Sequence, residues 1–303
     1  MRAWVVAVHG GAGAWRSEEA SAACSGVAAA VARARIVLEA GGSALDAAVA
    51  SVVCLEDDAL FNAGTGAVLN RDGDAELDAA VMTGHDLACG GVAALRRVRN
   101  PVLVARRVMT ATRHVLLAGE GALHFARAHG FEDYDPITPR ARAAWALRRQ
   151  ALEDASSNDL TSPHTSGAGG TVGAVALDVS GRLAAATSTG GVLMKLPGRV
   201  GDTPIPGAGT YANAFAACSA TGQGELMMRI VAAKHLCDRI SHGQPPRDAV
   251  DSLLREMRAG IGSDAGFILL SATGELGIAH GTPAMPHAWQ RAGEAVCARF
   301  DRS

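Results

Sequence analysis

Hydrophobic and polar positions along the chain alternate between two rhythms. Trp4 to Val8 is a short apolar run that stops at His9-Gly10-Gly11-Ala12-Gly13, the pattern of a strand entering a tight loop. From Glu18 to about Ala40, alanine and valine recur as in a helix. Gly41-Gly42 then breaks the run, and a second helix follows with Ser43 as N-cap and Asp46 in its first turn. Asp57 to Gly66 reads as loop. Ala67–Asn70 and Glu76–Met82 read as strands joined over the hairpin signal Asp72-Gly73. Pro101 opens a helix that runs to Met109. A short strand at His114–Leu117 and helices at Glu120–His129 and Pro139–Asp154 complete the first half.

Ala155 to Gly170 contains one large apolar side chain, Leu160, too little to bury, and is expected to be an exposed, mobile linker. It ends abruptly at Thr171. Val172–Leu177 and Leu183–Thr187 read as a hairpin over residues 178–181, and Gly and Pro punctuate the chain through Gly209. Helices are expected at Gly224–Ile240 and Pro246–Met257, then a hairpin joining Gly266–Leu270 to Leu276–Ala279. Strands and helices fall in blocks, which predicts packed sheets flanked by helices instead of a Rossmann unit.

A length of 303 residues fits either two domains or one large unit. The 36 glycines, with 49% hydrophobic residues and few aromatics, favour close backbone approaches around a sizeable core. A net charge of −2 with dispersed Lys and Arg excludes an electrostatic footprint for nucleic acid or an anionic membrane. The densest basic stretch, Arg96, Arg97, Arg99, Arg106 and Arg107, reads as a solvated helix face. The six cysteines form no CxxC pair, so they imply neither a zinc site nor a disulfide framework and fit a reducing compartment. No secretion signal and no run of about 18 apolar residues is found, and the expectation is a cytoplasmic protein.

Thr171 is the first candidate for chemistry. If the Gly170–Thr171 bond is cut, one residue carries both a hydroxyl and an α-amine with a pKa of about 7.7 to 8.0, a nucleophile with its own base. A Gly-Gly-Thr before a strand is also an ordinary loop end. Thr187-Ser188-Thr189-Gly190-Gly191 follows the next strand and places hydroxyls beside Thr171, or simply forms a turn. Arg199 and Asp202 suit the carboxylate and ammonium of a zwitterion, or a surface salt bridge. Thr221-Gly222, leading into a helix, offers backbone N–H groups to an oxyanion, or a plain capping loop. His9–Gly13 lacks a partner GxSxG elbow, a GK[ST] ending and a GxGxxG spacing. No histidine pair has zinc-ligand spacing. Glu56, Asp57 and Asp58 are either neighbours of a cation or a solvated loop.

Taken as ordered blocks, these residues resemble the plant-type asparaginase and isoaspartyl peptidase family of N-terminal nucleophile hydrolases. The blocks are HGGAG (9–13), LFNAGTGAV with RDGDAELDAAVM (60–82), RNPVLVARRVM (99–109), GEG (119–121), GGTVGAVALD (169–178), ATSTGG, KLPGRVGDTPIPGAGTYA (195–212) and TGQGE. The resemblance covers nearly the whole chain. It implies one α+β domain over 1–303, a four-layer αββα sandwich, cleaved to an α chain (1–170, with 155–170 as linker) and a β chain (171–303).

It further implies an amidohydrolase acting on the side-chain amide of L-asparagine or on β-aspartyl dipeptides. Thr171 is then the nucleophile, Thr189 its support, and Gly170-Thr171 the cleavage site. Arg199 and Asp202 hold the substrate, Thr221 and Gly222 form the oxyanion hole, and Asn62 lies near the nucleophile. No catalytic cofactor is implied. Similar enzymes hold a structural sodium in the loop matching Leu55, Glu56, Asp58, Phe61, Ala63 and Thr65, and assemble as dimers of αβ units. The related aspartylglucosaminidases share GRVGD and TGxG, so glycosylasparagine stays open as a substrate. A nonenzymatic amino-acid-binding module is the alternative of a different class.

Overall fold

The computed structural model describes residues 3–154, 170–262 and 264–301. Of the expected linker 155–170, residues 155–169 lie outside the described residues. In the first half the elements are β1 (Val5–His9), α1 (Ala20–Glu39), α2 (Ala44–Glu56), β2 (Leu77–Thr83), β3 (Cys89–Leu95), α3 (Pro101–Ala111), β4 (Leu116–Ala118), α4 (Gly119–Ala128) and α5 (Pro139–Asp154). The second half holds β5 (Val172–Leu177), β6 (Leu183–Thr189), β7 (Thr210–Ala212), β8 (Ala216–Gly222), α6 (Gly224–Ile230), α7 (Ala232–Ser241), α8 (Pro246–Ile261), β9 (Ala265–Ser271), β10 (Leu276–His280), β11 (His287–Arg291) and β12 (Cys297–Arg299).

Two sheets form. The larger runs β12-β11-β1-β5-β6-β2-β3-β4 and the smaller β10-β9-β8-β7. Strand periodicity sorts the side chains into layers. On β1, Val6 and Val8 join α1, α2 and α3 in one core, while Val5 and Ala7 face the other sheet. Val175, Leu177, Leu183, Ala185, Ala217, Ile268 and Leu270 share that inter-sheet core. Cys218, Ala220, Phe267 and Leu269 point away from it, onto α7 and α8. Helices, sheet, sheet, helices is the αββα order.

The helix ends follow local chemistry. The Ser43 hydroxyl caps α2 by accepting from the Asp46 N–H at 3.1 Å, as read from sequence. By length and composition α1 is also apolar enough to cross a bilayer. Its stripe Ala23, Val27, Ala30, Val31, Ala34 and Leu38 is instead buried in the helix–sheet core.

Several expectations are corrected. Ala67–Asn70 is not a strand. Asn70 Oδ1 accepts from the N–H groups of Asp72 and Asp74, each at 3.0 Å, and builds an Asx-type turn there. β2 pairs with β3 and β6 instead. β3 is hard to read because Gly90 interrupts its apolar pattern. A Cβ on Gly90 would meet Ala105 O of α3 at 2.2 Å, so close helix packing demands the glycine. The expected helix 224–240 is two helices, broken where Val231 takes the left-handed conformation (φ 51°, ψ 52°). The arginine-rich stretch is not one solvated face. Arg96 donates to Asp74 and Glu76, Arg97 to Asp133, Arg99 to Asp57 and Arg106 to Asp46.

Candidate active site

β5 lies at the centre of the large sheet, between β1 and β6. Thr171 immediately precedes it and is buried. The register pairs Val172 with Ser188, so one residue further Thr189 stands across from Thr171. The strand β6 therefore extends to Thr189, two residues beyond the expected end. By the same alternation that sorts the core, Thr171, Thr189 and, on β8, Thr221 belong to the inter-sheet faces. Three threonines from three strands thus meet at one end of the sandwich.

Gly170 is wedged where they meet. A Cβ on it would lie 2.9 Å from Thr221 Oγ1 and 3.0 Å from Ala12 O, and one on Gly11 would strike the Gly170 backbone at 2.5 Å. Only glycine fits at position 11, and a side chain at position 170 would press its neighbours apart. The Thr221 hydroxyl accepts from the Ala12 N–H at 3.1 Å, which leaves its own proton to donate. Thr221 and Gly222 close β8 instead of capping a helix, and Gly222 has φ 146°, a conformation foreign to side-chain-bearing residues. The helix that follows has seven residues with Gln223 as N-cap.

One step deeper lies a polar layer whose assembly the sequence did not show. His9 Nε2 is 2.9 Å from Ser219 Oγ, which is 2.8 Å from Thr187 Oγ1. All three residues are fully buried. Gly173 makes room, since a Cβ there would sit 1.9 Å from Ser219 Oγ. Burial drives the His9 pKa down to about 3, so its ring is neutral. The signal was available: His9 and Gly173 keep the inward parity of Val5, Ala7 and Val175.

Thr189 Oγ1 accepts from the Gly191 N–H at 2.9 Å. Asn62 braces the same turn. Its Nδ2 donates to Gly191 O at 2.8 Å, its Oδ1 accepts from the Val68 N–H at 2.9 Å, and its carbonyl accepts from the Gly190 N–H at 3.1 Å. Asn62 is thus brought to the turn that follows Thr189, with its amide committed to the backbone. Gly191 also approaches Arg199, for a Cβ there would lie 3.3 Å from Nη1.

Arg199 and Asp202 are not a surface salt bridge. Arg199 donates through Nε and Nη2 to the two oxygens of Glu225, both at 2.8 Å. Asp202 is buried and its Oδ2 has no hydrogen-bond partner among the described residues. Burial pushes its carboxyl up to about 7, against the pull of backbone N–H and Arg199. A Cβ on Gly224 would come within 2.8 Å of both Arg199 Nη2 and Asp202 Oδ1, which ties this pair to the Thr221-Gly222 segment.

The loop carrying the pair stands on buried charges. Lys195 Nζ donates to Glu76 O at 2.9 Å, Glu76 Oε2 accepts from the Gly198 N–H at 2.9 Å, and Asp78 Oδ2 accepts from the Gly201 N–H at 3.3 Å. Burial lowers the Lys195 pKa and raises that of Asp78, each opposed by the other's charge.

The loop expected to hold a cation starts at the C-terminus of α2. Glu56 is wholly buried, Asp57 receives Arg99 and Asn100, and Leu55, Phe61 and Ala63 are buried. Glu56 is therefore no part of a solvated loop. Burial pushes its carboxyl up to about 8, against the Val102 N–H that it accepts at 3.0 Å. No cluster of three or more His, Cys, Asp or Glu suited to a metal occurs among the described residues.

The chain was compared with known proteins. A family model described as Asparaginase matches residues 2–297. The chain is 44% identical to the plant-type L-asparaginase of Thermococcus kodakarensis over 297 residues, covering 95% of this chain and 96% of that protein. It is 42% identical to the isoaspartyl peptidase of Escherichia coli over 304 residues, 96% and 94% of the two chains. It is 40% identical to the isoaspartyl peptidase/L-asparaginase of Xenopus laevis, over 89% and 87%. Agreement over nearly the full length places the chain in the plant-type asparaginase and isoaspartyl peptidase family of N-terminal nucleophile hydrolases.

Proposed function

We propose that the protein is a self-cleaving amidohydrolase that hydrolyses the side-chain amide of L-asparagine and the isopeptide bond of β-aspartyl dipeptides through Thr171. One observation carries this reading. Thr171 immediately precedes the central strand on the inter-sheet side, with Thr189 across from it and Gly170 pressed against Thr221. The names of the relatives support the substrate class.

In the precursor, Thr171 Oγ attacks the Gly170 carbonyl, the Thr171 nitrogen leaves as an amine, and the acyl group passes from N to O. Water then hydrolyses the ester and frees chain 171–303 with Thr171 at its N-terminus. In the mature enzyme the α-amine takes the hydroxyl proton as Oγ attacks the substrate's side-chain carbonyl. The oxyanion is held by the Thr221 hydroxyl and the Gly222 N–H, the proton passes to the leaving nitrogen, and ammonia or an amino acid departs. Water releases aspartate from the acyl-enzyme. Arg199 holds the substrate α-carboxylate and Asp202 its α-ammonium, which gives the lone Asp202 Oδ2 a partner.

The purified protein is expected to hydrolyse L-asparagine and β-aspartyl dipeptides, with glycosylasparagine tested alongside. Thr171→Ala should abolish hydrolysis. A Thr171→Ala protein as active as wild type, or a wild type inert on both substrates, overturns the reading.

The loop after α2 is also proposed to hold a structural sodium through carbonyls of Leu55, Glu56, Asp58, Phe61, Ala63 and Thr65. Support comes from its closed form: Thr65 N–H donates to Glu56 O at 2.8 Å and Phe61 N–H to Asp58 O at 3.1 Å. Each carbonyl keeps a second lone pair for a hard cation. A higher melting temperature in sodium chloride than in choline chloride supports the site, and equal values refute it. The cytoplasmic location and a dimer of αβ units are proposals of the same kind, the dimer being testable by light scattering.

A further inference from the structure

Glu225 has no role in the chemistry above, yet it holds Arg199 through both carboxylate oxygens. Its carboxylate receives Arg199 Nε and Nη2 in a two-pronged pair, both bonds 2.8 Å. A guanidinium has five N–H groups on two usable edges. Glu225 occupies the side edge, formed by Nε and one proton of Nη2. The end edge, formed by Nη1 and the second proton of Nη2, is a complete second fork of the right geometry for another carboxylate.

The glycines restrict how the group can turn. A Cβ on Gly201 would lie 2.8 Å from Nη1, on Gly191 3.3 Å from Nη1, and on Gly224 2.8 Å from Nη2. Backbone therefore flanks the guanidinium, and Glu225 fixes rotation about its long axis. Arg199 is 15% exposed and Glu225 45%, so the arginine is the seated partner and the glutamate reaches in from the solvent side.

Resting on the proposed function, we propose that Glu225 is a positioning residue that locks the Arg199 guanidinium by its side edge, so that the end edge faces the substrate α-carboxylate. Glu225 touches no reacting atom. Its loss lets the guanidinium swing and weakens recognition of that one group.

The test compares wild type, Glu225→Ala and Glu225→Gln in the mature, self-cleaved protein. For Glu225→Ala the KM for L-asparagine should rise about tenfold or more, with kcat within about threefold of wild type. Competitive inhibition by L-aspartate should weaken by the same factor. Inhibition by β-alanine, which lacks the α-carboxylate, should change by less than about twofold. Glu225→Gln keeps one acceptor and should fall between the two. If Glu225→Ala fails to fold or self-cleave, Glu225→Gln carries the same comparison. An unchanged KM, a loss confined to kcat, or equal weakening of L-aspartate and β-alanine overturns the proposal. A wild type without turnover would instead sink the functional reading beneath it.

Discussion

With Asp202 proposed to hold the substrate ammonium, burial of its carboxyl makes that recognition pH-dependent, weaker at low pH. Its carboxyl is wholly buried, its Oδ2 has no partner among the described residues, and its pKa stands near 7 instead of the usual range near 4. Only the ionised form attracts an ammonium. At pH 8 about nine in ten empty sites are ionised, and at pH 6 about one in ten, so binding should weaken about tenfold between them. At pH 7 about half a proton should leave the site per ligand bound.

The assay is the inhibition constant of L-aspartate from pH 5.5 to 8.5, with calorimetry in buffers of different ionisation enthalpy to count protons. L-Aspartate separates this effect from titration of the Thr171 α-amine, because a protonated amine would favour the ligand's extra carboxylate at low pH. In Asp202→Asn, binding should be weak at every pH and the dependence below pH 7 should vanish. A wild-type inhibition constant that follows the same pH profile as that of Asp202→Asn refutes the argument.

Three further outcomes are expected. Glu56 has a folded pKa raised to about 8 from 4.5, so the folded state retains a proton that the unfolded state loses. Stability should fall as pH rises through this window, by on the order of 3 kcal/mol at pH 7. In sodium-free buffer Glu56→Gln should raise the melting temperature at pH 8 and leave it nearly unchanged at pH 4.5, and a destabilised variant at pH 8 contradicts this. Gly170→Ala places a Cβ 2.9 Å from Thr221 Oγ1 and should slow self-cleavage by about tenfold or more while circular dichroism shows a folded chain. Cleavage at the wild-type rate counts against the wedged geometry. Val231 is half-exposed in the left-handed region, so Val231→Gly should stabilise by up to about 1 kcal/mol in denaturant unfolding. A fall in the unfolding midpoint would show that Val231 packing outweighs its strain.

What the sequence revealed depended on range. The α2 cap at Ser43 and the hairpin β5–β6 rest on neighbours a few residues apart, and both were legible. β3 and β8 were not, because their glycines and alanines serve close packing by α3 and by the facing sheet, which no local window contains. Thr171, Arg199 and Asp202 stood out by residue type. Their setting did not. That Arg199 pairs with Glu225, and that Lys195 is buried under the loop between Glu76 and Asp78, follows from contacts between residues 26 to 119 positions apart. The polar layer His9, Ser219 and Thr187 likewise draws on three strands from two sheets, each member ordinary in its own segment.

The central claim is that Thr171 becomes a nucleophile by being made an N-terminus. Denaturing mass spectrometry of the purified protein tests it most directly. Two fragments covering residues 1–170 and 171–303 should appear, the second beginning at Thr171, and Thr171→Ala should remain one intact and inactive chain. An uncut wild-type chain with full hydrolytic activity, or a cut at any other bond, contradicts the account.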